Sequence, residues 1–161
     1  MFANRISQTL HEEHRATIEL MERLETMIAR KQPLEAGDAL LRDLVAAIDN
    51  DTLRHFDFEE SHLFPLLQSV GDQLIGDHLT EEHDAMRPLA EKLRTVAGAA
   101  QAAGFDAVGW KAFQQAGAAF VQRMLIHVQK EEMALLPLVE DMMDADAEAR
   151  LHGIYAGASA V

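Results

Sequence analysis

Apolar residues recur every three or four positions along most of the chain, which is the pattern of amphipathic α-helices. The two-residue alternation that is typical of β-strands is absent. Glycine, proline and aspartate interrupt the pattern at residues 31–38, 71–77 and 98–109. The pattern predicts four long helices and a short fifth one, with approximate limits 4–30, 38–69, 73–102, 106–141 and 144–155.

Long helices joined by short connections pack as antiparallel bundles. We therefore expect an all-α fold, an antiparallel up-down four-helix bundle followed by a short C-terminal helix or tail. The chain has no low-complexity segment or linker, so we expect a single domain over residues 1–161. Within it, the bundle covers about 4–141 and a C-terminal extension about 142–161, and the small residues of 156–161 are expected to fray.

Composition narrows the possible functions. The chain has no cysteine, which excludes disulfides, thiolate nucleophiles and cysteine-ligated clusters. A net charge of −13 disfavours nucleic acid, because phosphates are bound by clustered lysine and arginine. No apolar run reaches the ~20 residues of a membrane span, and the N-terminal residues do not resemble a secretory signal. We expect a cytoplasmic protein that binds neither nucleic acid nor membrane, and whose unusual feature is its eight histidines.

An internal repeat connects these histidines. Glu12-Glu13-His14 recurs as Glu81-Glu82-His83, and His55-x-x-x-Glu59-Glu60 recurs as His127-x-x-x-Glu131-Glu132. The repeat predicts a bundle built from two related helical hairpins. Each helix then carries at least one histidine on its apolar face, and the second and fourth helices add a glutamate one turn after His55 and His127. The six predicted inward-facing residues are His14, His55, Glu59, His83, His127 and Glu131.

This combination of residues favours a metal site. Residues four apart lie on one helical face, so His55 with Glu59, and His127 with Glu131, can reach common or adjacent metal ions. Imidazole and carboxylate together suit iron, zinc, manganese or copper better than magnesium or calcium. Two buried carboxylates without a lysine or arginine on the same faces would each cost several kcal/mol. The alternatives are ordinary core histidines and a metal-free His–Glu network that shares protons.

These motifs, together with Glu13-His14, His55-Phe56 and Leu63-Phe64-Pro65, resemble the hemerythrin-like family, also called the HHE cation-binding domain. The resemblance implies a four-helix bundle with a non-haem di-iron centre, bridged by two carboxylates and an oxo or hydroxo group. On that pattern the six inward-facing residues are the ligands, and zinc or manganese could replace iron.

The chain departs from the animal oxygen carriers of this family at two points. Those carriers have a His-x-x-x-His pair on the third helix, where this chain has His83 alone on the apolar face. They also separate the histidine and the acid of the fourth helix by five residues. Glu132 stands at that spacing from His127, so it rivals Glu131 as a ligand. With fewer histidines, the iron ions would have more open positions, which makes simple reversible oxygen carriage doubtful.

The resulting functional prediction is a binding protein for a small diatomic ligand, O₂ or NO, in sensing, storage or scavenging, with an unidentified redox partner. The alternatives are a di-iron enzyme or iron donor in nitric oxide or peroxide stress and iron-centre repair, a zinc-stabilised structural bundle, and a ferritin-like oxidase. A non-enzymatic role is preferred, because no nucleophile or general acid stands out. No residue indicates a pocket beyond the space for a diatomic.

The other histidines and the prolines near the site are open to several interpretations. His62 is a core or rim residue, a hydrogen-bond donor or an exchangeable ligand. His11 either hydrogen-bonds a ligand or faces water, and His78 is expected to be exposed. Pro65 and Pro137 are expected to end or kink their helices just after the site.

Overall fold

The structure, a computed structural model, describes residues 1–159, with side chains up to residue 157. This part of the chain contains no strand and is helical, as predicted. The helices are α1 (Arg5–Ile28), α2 (39–69), α3 (Gln73–Ala103), α4 (107–142) and α5 (Ala145–Ser159). Helix α5 continues to Ser159, a few residues beyond the predicted limit of about 155. Residues 160 and 161 lie outside the described part.

Helices α2 and α4 are not uniform, because short π-helical segments interrupt them. The α-helical parts of α2 are Ala39–Ala47, Leu53–Phe58 and Phe64–Ser69, and its π-helical parts are Ile48–Thr52 and Glu59–Leu63. Helix α4 consists of α-helical Ala107–Lys130, π-helical Glu131–Leu135 and α-helical Leu136–Met142. π-Helical segments are rare in proteins, and those that occur are often found at functional sites. Two of the three begin at a glutamate of the predicted site.

Proline accounts for two of these segments. A proline ring inside an α-helix clashes with the carbonyl group four residues earlier. Before Pro65 the turn widens, so that the Phe64 N–H donates to the Glu59 carbonyl five residues back. The turn Glu131–Leu135 widens in the same way before Pro137. The sequence predicted that these prolines either end or kink their helices. The helices do not end at the prolines but continue through a wider turn.

The helix ends follow from local side-chain chemistry. The Asp38 side chain accepts a hydrogen bond from the Leu40 N–H at 2.9 Å and so caps the start of α2. Asp106 caps α4 in the same way. Gly71 and Gly104 follow α2 and α3 with φ values of +85° and +73°, a conformation that favours glycine.

The helices pack so that α1 contacts α4, α4 contacts α3, and α3 contacts α2, while α5 lies against α1. Two buried apolar clusters form, one on each side of a polar layer. The first cluster includes Met21, Leu44, Ile48, Met86, Phe120 and Met124. The second includes Leu10, Leu63, Leu79, Leu135, Leu151 and Tyr155. Along α1 to α4, the predicted site residues fall between these clusters. No described helix has the length and apolar character needed to cross a membrane.

Candidate metal centre

The polar layer contains all six residues that the sequence pattern placed inside the bundle. Each side chain is at least nine-tenths buried, and the most accessible residue, His55, is 7% exposed. Their nitrogen and oxygen atoms form two groups, within each of which the potential ligand atoms lie within 4.8 Å of one another. The groups are His14, His55, Glu59 and Glu131, and Glu59, His83, His127 and Glu131.

In the first group, two imidazoles from α1 and α2 face two carboxylates. The Nε2 atom of His14 lies 2.9 Å from Oε2 of Glu131. The Nε2 atom of His55 lies 3.1 Å from Oε1 of Glu59 and 3.2 Å from Nε2 of His14. These four atoms therefore point toward one common position in the core.

The second group uses the same two carboxylates through their other oxygens. The Nε2 atom of His83 lies 3.3 Å from Oε2 of Glu59. The Nε2 atom of His127 lies 2.8 Å from Oε1 of Glu131, and the two Nε2 atoms are 3.0 Å apart. Each glutamate thus directs one oxygen to each group, which is the arrangement that a carboxylate bridging two cations requires.

The Nδ1 atom of every one of these histidines contacts a carboxylate from a neighbouring helix. The pairs are His14–Glu132 at 2.6 Å, His55–Glu13 at 2.9 Å, His83–Glu60 at 2.7 Å and His127–Glu82 at 2.7 Å. An ionised carboxylate only accepts hydrogen bonds, so Nδ1 is the donor in each pair. In the neutral ring, Nε2 then presents a lone pair to the centre, which is the usual arrangement of a metal-binding histidine.

This tautomer makes a centre without cations unfavourable. Lone pairs on Nε2 atoms 3.0 and 3.2 Å apart repel one another unless a proton or a metal ion lies between them. Oxygen Oε2 of Glu59 and Oε1 of Glu131 are buried, and among the described residues neither accepts a hydrogen bond while the neighbouring Nε2 atoms are unprotonated. Nitrogen and oxygen donors of this kind suit iron, zinc or manganese. The residues present therefore fit a pair of metal ions.

Glu132, the predicted rival of Glu131 as a ligand, does not point toward the centre. One of its oxygens contacts Nδ1 of His14, and the other lies 2.9 Å from Nδ1 of His11. Glu131 lies in the centre and Glu132 at its edge. His11 thus contacts the carboxylate that orients His14 rather than one of the six candidate ligands, which is neither the predicted hydrogen bond to a ligand nor simple exposure to water.

The outer carboxylates are in turn paired with cations. Arg54 lies 2.8 Å from Glu13, Arg87 lies 2.9 Å from Glu60, and Lys130 pairs with Glu82. The sequence analysis did not find the roles of Glu13, Glu60 and Glu82. The sequence feature that could have indicated these roles is that each of the three glutamates is directly adjacent to a predicted ligand.

These contacts shift the pKa values of the cluster. Burial lowers the pKa of His127, but Glu131 and Glu82 outweigh it and raise the pKa to about 9. Burial raises the pKa of Glu82, but hydrogen bonds from His127 and Lys130 outweigh it and lower the pKa to about 2. Despite burial, the pKa values of His14, His55 and His83 are raised as well, because carboxylates face them, so the metal-free centre favours protonated imidazoles beside the carboxylates. Since metals bind the unprotonated ring, metal binding must release these protons.

The C-terminal helix contributes a residue that the sequence analysis missed. The Tyr155 hydroxyl donates a hydrogen bond to the Glu13 carboxylate that holds His55, and the Tyr155 ring lies 4.3 Å from the Arg54 guanidinium carbon. Tyr155 is 2% exposed, so α5 covers this side of the site. Helix α5 therefore contributes Tyr155 to the surroundings of His55.

A cavity of about 180 Å³ reaches the first group. His14, His55, His127 and Glu131 are its buried polar lining residues, so it also reaches one histidine of the second group, and most of the remaining wall is apolar. The other histidine of the second group, His83, does not line the cavity, and the Phe56 ring stacks on it with a centroid distance of 4.0 Å. The two groups are thus inequivalent. The expectation of space for a diatomic alone is wrong, since the cavity is larger.

The remaining histidines lie outside the centre. His62 is half-buried, and its ring centroid lies 5.4 Å from that of Phe58. His78 is exposed, as predicted, and its Nε2 accepts a hydrogen bond from Lys130 at 2.9 Å.

The fold and the site define a helical domain with a buried cluster of imidazoles and carboxylates that could hold metal ions. The family model of the hemerythrin HHE cation-binding domain matches residues 5–139 and, in a second and overlapping match, residues 74–156. The chain belongs to this family, which confirms the resemblance seen in the sequence. No curated protein and no solved structure matches the chain.

Proposed function

We propose that this chain is a non-haem di-iron protein that binds a small diatomic ligand, O₂ or NO, for sensing, storage or scavenging. In this proposal, the four helices α1 to α4 form an antiparallel up-down bundle of two hairpins around the metals. The ligands are the six residues of the centre, His14, His55, Glu59, His83, His127 and Glu131.

The observation that carries the proposal is the division of each central carboxylate between two groups. Glu59 directs one oxygen toward His55 and the other toward His83, and Glu131 divides its oxygens between His14 and His127. A single ion would not need this arrangement, whereas two ions held side by side would use all four oxygens. Membership of a cation-binding family supports the same interpretation.

The environment of the first group supports ligand binding there. The cavity gives access to the position between His14 and His55, while Phe56 covers His83 on the other side. When bound, iron would supply the electrons and the open coordination position that O₂ or NO requires. The protein would exclude most water with apolar walls and hold each imidazole through its paired carboxylate.

Metal analysis and absorption spectroscopy of the purified protein test this proposal. We expect two iron ions per chain, and a change in the spectrum when the reduced protein meets O₂ or NO. The Glu59→Gln variant should hold fewer than two ions, whereas Glu81→Gln, an exposed neighbour in the repeat, should hold two. A protein that takes up only zinc and stays colourless, or that takes up no metal, would contradict the proposal.

The size of the cavity favours one second candidate, a di-iron enzyme that acts on a peroxide. A space of about 180 Å³ exceeds what a diatomic ligand needs. Turnover of peroxide by the iron-loaded protein, in place of a stable and reversible ligand complex, would favour the enzyme.

A further inference from the structure

The cavity beside the first group is several times larger than a diatomic molecule. Its volume is about 180 Å³. An engineered apolar cavity of about 150 Å³ in another protein admits benzene, whereas a water molecule occupies about 30 Å³ of liquid. The space therefore suits an organic molecule of roughly the size of a benzene ring.

The walls and the buried end of the cavity differ in chemistry. Side chains from α1, α2 and α4 form an apolar wall that includes Leu20, Met21, Leu44, Ile48, Phe120 and Met124. The buried polar groups that line the cavity are His14, His55, His127 and Glu131. A matching ligand has a largely apolar body and one polar end, because a polar group placed against the aliphatic and aromatic part of this wall would lack a hydrogen-bond partner.

Small and acidic residues form the outer part of the cavity. Ala16 and Ala47 leave room between α1 and α2, and the Asp51 carboxylate is 62% exposed beside them. Glu13 is also negative, but Arg54 pairs with it at 2.8 Å. The remaining negative charge disfavours an anion, and the total charge of −13 acts in the same direction.

We propose that this cavity binds a small neutral organic molecule with an apolar body up to the size of a benzene ring and one oxygen-bearing end, as in an alcohol, a phenol or an organic hydroperoxide. The oxygen-bearing end lies toward His14, His55 and Glu131. Only a contact between that oxygen and a metal ion rests on the proposed di-iron function. Burial of the apolar body depends on the side chains of α1, α2 and α4 alone.

Fluorine NMR titration of the full chain with 4-fluorophenol tests the site, in both the metal-free and the zinc-loaded protein. We expect saturable binding with half-saturation below about 1 mM. In the metal-free protein, the anion 4-fluorobenzoate has a similar body and should bind at least about tenfold more weakly. Absence of saturation in both forms, or equal binding of the two probes, would overturn the inference.

A pair of variants on α2 locates the bound probe. Ala47→Phe fills the outer part of the cavity and should weaken 4-fluorophenol binding about tenfold or more. Ala46→Phe adds the same ring at the adjacent exposed position and should leave binding unchanged. If circular dichroism shows that Ala47→Phe does not fold, Thr17→Leu on α1 fills the same region with a smaller side chain. Unchanged binding in the folded cavity variant would overturn the assignment.

The two proposals can fail separately. A protein that takes up no metal but binds 4-fluorophenol in the metal-free form would refute the di-iron function and support the cavity site. A protein that takes up two metal ions but binds no probe in either form would support the metal centre and refute the cavity site.

Discussion

At the scale of single residues, each central imidazole has two carboxylate partners with different roles. His14 illustrates this, since its Nε2 faces Glu131 and its Nδ1 faces Glu132, which are adjacent in the sequence. Consecutive residues of a helix point about 100° apart, so one glutamate reaches the centre and the next reaches a neighbouring helix. Each pair of adjacent glutamates in α2 and α4 therefore supplies one carboxylate to the centre and one that contacts the Nδ1 atom of a central histidine.

This arrangement predicts different effects for the two glutamates of α4. Glu131→Gln should remove at least one metal ion per chain, because Glu131 directs oxygens to both groups. Glu132→Gln should keep both ions but lower their affinity by about 10–100-fold, because only the orientation and basicity of His14 change. Titration with a competing chelator measures both effects.

The exposed Glu12, on α1, provides the control, and Glu12→Gln should match the unmodified protein. If Glu132→Gln loses an ion while Glu131→Gln retains two, the roles of the two glutamates are reversed.

At the scale of elements, the π-helical segments connect the prolines to the site. The wide turns begin at Glu59 and Glu131 and end just before Pro65 and Pro137. A wide turn inserts a residue into the helix and rotates the N-terminal part of the helix relative to the C-terminal part. We therefore expect the prolines to help set the direction of both central carboxylates through these wide turns, without contacting the site themselves.

Replacing these prolines should separate stability from metal binding. In Pro65→Ala or Pro137→Ala the new N–H allows an ordinary α-helical turn, and alanine is the better helix former by up to about 3 kcal/mol. We expect the metal-free protein to be at least as stable, while metal affinity falls about tenfold. Thermal unfolding and chelator titration measure the two quantities.

Pro88 is the matched control, because it lies inside α3, which is α-helical throughout. Pro88→Ala should leave metal affinity unchanged. Equal losses of affinity in all three variants would show that the wide turns have no special part in placing the carboxylates.

The C-terminal helix leads to a second prediction at this scale. Tyr155→Phe removes the hydroxyl that donates to Glu13 while keeping the ring over Arg54. We expect a loss of about 1 kcal/mol in the free energy of unfolding and faster release of metal, because His55 is held less firmly.

A double-mutant cycle with Glu13→Gln tests the contact itself. The coupling energy should be about 0.5–3 kcal/mol if Tyr155 acts through Glu13. The same cycle with Glu12→Gln should give a coupling energy close to zero. Additive effects in both cycles would show that Tyr155 does not act through Glu13 and contributes by packing alone.

At the scale of the whole molecule, the sequence predicted what local periodicity determines. The helix limits and the burial of residues such as Glu59 and His83 follow from spacing along one helix, and the repeat related the two halves. The partners of Glu13 and Glu60 lie on neighbouring helices, so these residues resembled ordinary solvated acids in the sequence. Tyr155 is separated from Glu13 by most of the chain, and the cavity depends on the packing of three helices.

Metal removal should affect the stability of the whole bundle, because the centre lies between its two apolar clusters. A ligand at 100 times its dissociation constant stabilises a protein by about 2.7 kcal/mol. For a chain of this length, 1 kcal/mol corresponds to roughly 2–4 °C, so chelation should lower Tm by about 5–10 °C. Calorimetry with and without a chelator measures the shift. A variant carrying both Glu59→Gln and Glu131→Gln should show none, and an unmodified protein with the same Tm in both conditions would contradict a structural contribution from bound metal.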